Sequence, residues 1–143
     1  MQTDPTESMT SAALRHLRDA EHLLEPGVAE SVDQAWHLVG LAVECMEKAC
    51  LGDQRLHRAI GHLGEVDAES MCFVLSLDPR AAQLGVTGVP PSPLRAWSIN
   101  CRYDTTGERE RPEVEHALAA AAPYVAMLAA ARWADGRLSG AWA

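Results

Sequence analysis

The stretch WHLVGLAVECMEKACL, residues 36–51, decides the fold. Trp36, Val39, Val43, Met46 and Cys50 recur at alternating spacings of three and four, the stripe of a helix packed along its length. Leu38, Ala42, Cys45 and Ala49 form a second apolar stripe beside the first. A helix with two such stripes needs neighbours on two sides, so the pattern predicts the central helix of a bundle. Glu44, Glu47 and Lys48 interrupt it. A carboxylate at Glu44 needs a partner there, because an unpaired buried charge is very costly. Lys48, four residues on, is the local candidate.

The rest of the chain arranges itself around this helix. The helix is expected to start near 28–31 and to run to Leu51, where Gly52 supplies a stop and Asp53 can cap the next segment. Upstream, Ala13, Leu14, Leu17, Ala20 and Leu24 share one face, predicting a first helix from near 8–11 to about residue 25, ended by Pro26-Gly27. Two long helices on a short link make an antiparallel hairpin. The middle, 53–96, is less regular. Residues 54–62 read as a short helix with Leu56, Ile60 and Leu63 inward. Residues 67–77 read as another with Met71, Val74 and Leu75 inward, although Phe73, Val74 and Leu75 also suit a strand. GVTGVPPSP, 85–93, is a loop, since two glycines and three prolines forbid regular structure. A last helix is expected over about 112–136, with Pro112 in its first turn and Glu113 and Glu115 opposing its dipole. Val114, Leu118, Ala121, Val125, Leu128 and Trp133 are its expected buried face, and Pro123 falls inside it.

The expected class is therefore all-α: an antiparallel four- to five-helix bundle with an irregular, loop-rich middle. Residues 1–8 read as a flexible leader, 9–136 as a single domain and 137–143 as a loose tail. A chain of 143 residues suits one domain with a full core. No apolar run reaches about 18 residues, which predicts no membrane-spanning helix. MQTDPTESMT has no apolar h-region, so a signal peptide is not expected and the cytoplasm is the expected location. Cys45, Cys50, Cys72 and Cys101 form no C-x-x-C pair and read as reduced thiols. The six histidines make no H-x3-H or H-E-x-x-H pair, so no metal is expected. No phosphate-cradling glycine loop or nucleophile elbow occurs, and no cofactor is expected. Twelve Lys and Arg against 20 Asp and Glu give a net charge of −8. That disfavours RNA as a partner, since nucleic-acid binders use a basic face to displace counterions. It fits a soluble chain, or one that meets a basic protein surface.

Two segments carry a family resemblance. GLAVECMEKACL, 40–51, resembles the second-helix signature of HEPN-like proteins, a Gly–aromatic–Ala–hydrophobic–Glu–Cys–x–x–Lys–Ala pattern, with Leu41 in place of the usual aromatic. WSINCRYDTTG, with Trp97 followed by Arg102-Tyr103, resembles the W-x4-R-Y segment before the last helix in one branch of that superfamily. A short His-containing stretch commonly lies between them, and RLHRAIGHL, 55–63, is similar to it. The resemblance spans roughly residues 10–135. It implies an antiparallel helical bundle, often dimeric. Some members are metal-independent ribonucleases with an R-x4-6-H motif near the last helix, while others are antitoxin-like partners, nucleotidyltransferase companions or interaction modules.

The candidate site residues fall into two sets. Arg111 and His116 form an R-x4-H match, in which arginine would clamp phosphate and histidine would titrate near neutral pH. Pro112 stands where active members usually carry a polar residue, and Glu108, Glu110, Glu113 and Glu115 would repel RNA phosphates. Arg102, Tyr103 and Asp104, with Glu44 and Lys48, form the second set. They read either as a polar site, with arginine binding an anion and tyrosine stacking, or as architecture, with Arg102 paired to Glu44 and Tyr103 packed on the bundle. The expectation favours a non-catalytic interaction module working through a protein partner or as a homodimer, in a toxin–antitoxin, nucleotidyltransferase or defence-type system. The alternative is a metal-independent ribonuclease using Arg111 and His116.

Overall fold

The computed structural model describes residues 5–27, 31–51, 54–62, 65–78, 81, 83–86 and 91–134. They form five α-helices: α1 (Pro5–Leu23), α2 (Val32–Ala49), α3 (Gln54–Ile60), α4 (Ala68–Ser76) and α5 (Arg111–Ala134). Two 3-10 turns, Ser92–Leu94 and Ile99–Tyr103, lie between α4 and α5, and no strand occurs among the described residues. The all-α bundle is as the periodicity predicts.

Both stripes of α2 are used. Trp36, Val39, Val43 and Met46 are buried on one side, and Leu38, Ala42 and Ala49 on the other. Ala13, Leu17, Ala20 and Leu24 of the α1 side and Val114, Ala117, Ala121, Val125 and Leu128 of α5 enclose the same core. The alanines let these backbones come close, while the larger side chains of α2 fill the space between. α1 begins at Pro5, inside the stretch expected to be a leader. A proline is well placed in a first turn, where its missing N–H has no intrahelical partner. The tail 137–143 and the helix end expected at residue 136 lie outside the described residues, as does Leu63. Residues 73–75 belong to helix α4, not a strand. Asp67 caps it, accepting from the Ser70 backbone N–H at 2.8 Å.

α1 and α2 pair as the expected antiparallel hairpin, but α5 runs alongside α2 in the same direction. Near the start of α2, Asp33 accepts hydrogen bonds from the Gly107 and Arg109 N–H groups at 2.9 and 3.1 Å. Near its end, Arg132 donates to the Ala49 carbonyl. Parallel neighbours need a long crossover, and residues 50–110 supply it. This gives the irregular middle its role: it carries the chain back along the bundle.

Trp133 departs from the expected buried face and is 54% exposed. The stripe through Val114, Ala117, Ala121, Val125 and Leu128 continues onto Arg132, which is fully buried. Trp133 is one residue out of phase, about 100° further round the helix. α5 is also long and apolar enough, by length and composition alone, to cross a membrane.

One of the points that fasten the crossover to α2 is an apolar one. Trp97 is buried, and a Cβ added at Gly40 would sit inside its indole ring. The ring therefore lies directly against the backbone of α2, where only glycine leaves room. His37, one turn earlier, stacks on the same indole with ring centroids 6.0 Å apart.

Gly40→Ala is expected to cost about 1–3 kcal/mol, the usual penalty for overpacking a filled core. In a Trp97→Ala background the same change is expected to be neutral or to stabilise by up to about 1 kcal/mol, because only alanine's helical preference remains. Urea unfolding of the four chains checks this reversal of sign. Equal losses in both backgrounds would show that the two positions do not share a contact.

Candidate functional site

One face of α2 carries His37, Gly40, Glu44 and Lys48, at helical spacing. Of the three segments singled out by resemblance, one belongs to this helix and the other two converge on its face. Trp97 covers Gly40. His62, just beyond α3, brings its Nδ1 to 2.8 Å from Glu44 Oε1, a hydrogen bond when that nitrogen carries the proton. Lys48 Nζ donates to the same oxygen at 3.1 Å. Glu44 is only 6% exposed, so its charge is held by these two neighbours together with the fold around it. Lys48 is thus the partner expected for Glu44, and His62 is a second that the spacing did not disclose.

Arg102 does not fill the architectural role proposed for it. Both Arg102 and Tyr103 are exposed, Tyr103 by 75%, and the guanidinium lies 4.7 Å from the Tyr103 ring centroid. The 3-10 turn Ile99–Tyr103 is only five residues long. Ile99 and Trp97 take the buried side, which leaves Arg102, Tyr103 and Asp104 on the outer side. The result is a small exposed patch of cation, phenol and carboxylate above the Trp97 socket.

Two imidazoles line this region. His37 is 7% exposed, and its Nδ1 is buried with no hydrogen-bond partner. The Nδ1 of His16, on α1, is likewise buried and unpartnered. Burial pushes the His37 pKa below its ordinary value, and the Arg102 charge and His16 push it further, against smaller opposing effects of Glu44 and Asp104. Burial lowers His16 too, with Arg15 adding to it. Both rings are therefore held neutral at neutral pH. Cys45, further along α2, is pushed up by burial and by the Glu44 carboxylate, against smaller opposing effects of Lys48 and Arg15, so its thiol stays protonated. Among the described residues, no group of three or more His, Cys, Asp or Glu stands where it could hold a metal ion.

The Arg111–His116 pair is built differently. Arg111 opens α5, and its Nη1 donates to the Leu24 carbonyl at the end of the first helix, with Glu115 Oε1 at 3.4 Å. A cation at a helix C-terminus meets carbonyls that have no intrahelical donor, so Arg111 ties α5 to α1. His116 is exposed one turn on, flanked by exposed Glu113 and Glu115. Arg109, which sequence reading passed over, lies 4.5 Å from the Trp36 ring centroid and pairs with Glu113 at 2.9 Å. Two further polar contacts went unforeseen. Tyr124 donates to the buried Glu47 at 2.7 Å, and the buried Arg132 donates to the Ala49 carbonyl that ends α2. The sequence signal for Arg132 was present: it falls in phase with the apolar stripe of α5.

Comparison with known proteins gives no independent guide, since no family model, curated protein or solved structure matches the chain.

This geometry has two measurable consequences. His16 and His37 bind protons less readily folded than unfolded, so stability is full above the ordinary histidine value of 6.5 and falls as pH drops below it. The melting temperature is expected to decline between about pH 7.5 and 5.5, and His37→Phe, which keeps a ring on Trp97, is expected to flatten that decline. A variant profile parallel to wild type would remove His37 as a cause. Arg111→Ala is expected to lose about 1–2 kcal/mol in urea unfolding, through the lost bond to Leu24. Unchanged stability would show that Arg111 does not anchor the helices.

Proposed function

We propose that this chain is a non-catalytic HEPN-like interaction module, cytoplasmic, acting through protein partners of the toxin–antitoxin, nucleotidyltransferase or defence type. The observation that carries this reading is the use made of Arg111. Its guanidinium is taken up by the Leu24 carbonyl and by Glu115, so the residue that would clamp a scissile phosphate serves the joint between α1 and α5. Four exposed carboxylates, Glu108, Glu110, Glu113 and Glu115, surround it and oppose the approach of RNA. The other candidate set supports the same reading. Glu44 is bonded to Lys48 and His62, and His37 is neutral and buried, so neither is a free base for turnover. Arg102, Tyr103 and Asp104 remain exposed, which suits recognition better than catalysis.

The test is cleavage of labelled single-stranded RNA by purified protein in excess EDTA, with wild type beside His116→Ala. The expected result is no cleavage by either chain. Cleavage by wild type that His116→Ala abolishes would make the chain a metal-independent ribonuclease using Arg111 and His116, and would end the module reading.

A further inference from the structure

We infer that the outer face of α5 is the surface through which two copies of this chain pair, antiparallel, about a twofold axis near Ala126. This deepens the module reading by naming the partner, and it rests on that reading only in taking the chain to act through contacts. A helix that is apolar all round is normally buried all round. In α5, only 28% of the most apolar 18-residue window is buried. The exposed residues Ala119, Pro123, Ala126, Met127, Ala130 and Trp133 recur at helical spacing and make one continuous apolar stripe. From Ala117 to Ala134 the one charged side chain is Arg132, and it points into the core, fully buried.

Three features choose a second copy as the occupant. The first is shape. A twofold contact must be self-complementary, with residue i meeting j and j meeting i. The N-terminal half of the stripe is small, with Ala119 and Pro123, while the C-terminal half projects Met127 and Trp133, which are 50% and 54% exposed. Ala119 and Trp133 stand at equal distances on either side of Ala126. An antiparallel pair centred there sets the Trp133 indole of each copy over Ala119 of the other. The second feature is charge. A chain of net charge −8 repels its own copies, and the α5 stripe is a face on which they meet without opposing carboxylates. A basic partner, by contrast, finds no carboxylate on it to recognise. The third is area. The stripe from 119 to 134 is about 24 Å long and about 10 Å wide. Counted on both copies, and with the relief of Met127 and Trp133 added to the flat footprint, it buries at most roughly 1,000 Å², the bottom of the range for a specific interface, so the dimer is weak and concentration-dependent. A bilayer is the less fitting occupant. To enter it, α5 would have to leave the bundle and part Arg132 from Ala49 and Tyr124 from Glu47.

Sedimentation equilibrium of the full chain tests the pairing. Wild type is expected to be a dimer at about 100 µM, and Ala126→Glu, with unchanged circular dichroism, to weaken association at least about a hundredfold by burying two like charges on the axis. The register has its own test, in a Cys72→Ser background that removes the exposed native thiol. Ala126→Cys is expected to cross-link to itself on mild oxidation, and Ala119→Cys is not. Wild type that is monomeric at that concentration overturns the inference, as does Ala126→Glu that remains dimeric, or Ala119→Cys that cross-links as readily as Ala126→Cys. Flotation of monomeric wild type with phosphatidylcholine–phosphatidylglycerol vesicles, lost in Ala126→Glu, also overturns it and assigns the face to lipid. A monomer would leave a different protein partner as the module's target, whereas RNA cleavage would end the module reading and leave the pairing standing.

Discussion

The contact of the Trp97 indole with the bare backbone of α2 at Gly40 is the constraint on which the other parts depend. α2 and α5 run in parallel, so the chain must travel back along the bundle between them. A crossover built of short helices and 3-10 turns carries little hydrogen-bonded stiffness of its own. It is fixed where a large flat side chain reaches the central helix. The indole can come that close only because position 40 has no Cβ. Once seated, it brings His37 into a stack and sets the direction in which Ile99–Tyr103 leaves the surface. Arg102 and Tyr103 face outward as a consequence of that anchoring.

The same central helix carries two buried carboxylates, and the structure handles each by a different route. Glu44 is met by Lys48 on its own helix and by His62 from the crossover. Glu47 is met by the Tyr124 hydroxyl from α5. Arg132 completes the set at the end of α2, where a buried guanidinium answers carbonyls that the helix leaves open. None of these groups is cheap to bury, and removing one partner of such a contact costs more than the contact itself contributes. Their shared effect is positional. α3, α5 and the end of α2 can each satisfy a polar group in only one alignment, whereas an alanine-rich interface alone would tolerate sliding. Near the opposite end, Asp33 holds the 107–109 turn through two N–H groups, one of them on Gly107 at φ 91°, a backbone region that favours glycine.

Much of this was legible from periodicity. The double stripe of α2, the faces of α1 and α5 and the two short helices follow from the spacing of apolar residues, and spacing reports burial directly. What spacing cannot report is which residue from a distant segment arrives at a given face. Lys48 was found as the partner of Glu44 because it lies four residues away on the same helix. His62 was not, because it comes from another segment. Arg102 was one of two candidates for Glu44, beside Lys48, and the carboxylate is met by Lys48 and His62 instead. The relative direction of α2 and α5 was also hidden, since helix patterns carry no sign for the route of the chain between them. Trp133 was expected on the buried face, whereas phase assigns that position to Arg132. Gly40 and Trp97 were both visible as motif residues. Their pairing became evident only when the ring was placed against the helix.

These features invert the common arrangement of a small helical protein. Many of the polar groups on α2 and α5 are turned inward and used to fix alignment, while a long helix presents an uncharged apolar stripe to the outside. Here burial holds two imidazoles neutral, burial and a neighbouring carboxylate hold a thiol protonated, and the arginine of the R-x4-H match is bonded to the end of another helix. An apolar stripe costs solubility unless it is covered, and α5 cannot turn it inward because the opposite face already carries Val114, Ala121, Val125 and Leu128 into the core. The helix is amphipathic only by context: both faces are apolar, and the fold has used one of them. Among the described residues, nothing covers the other face completely: Ala119, Pro123, Ala126, Met127, Ala130 and Trp133 stay exposed along it.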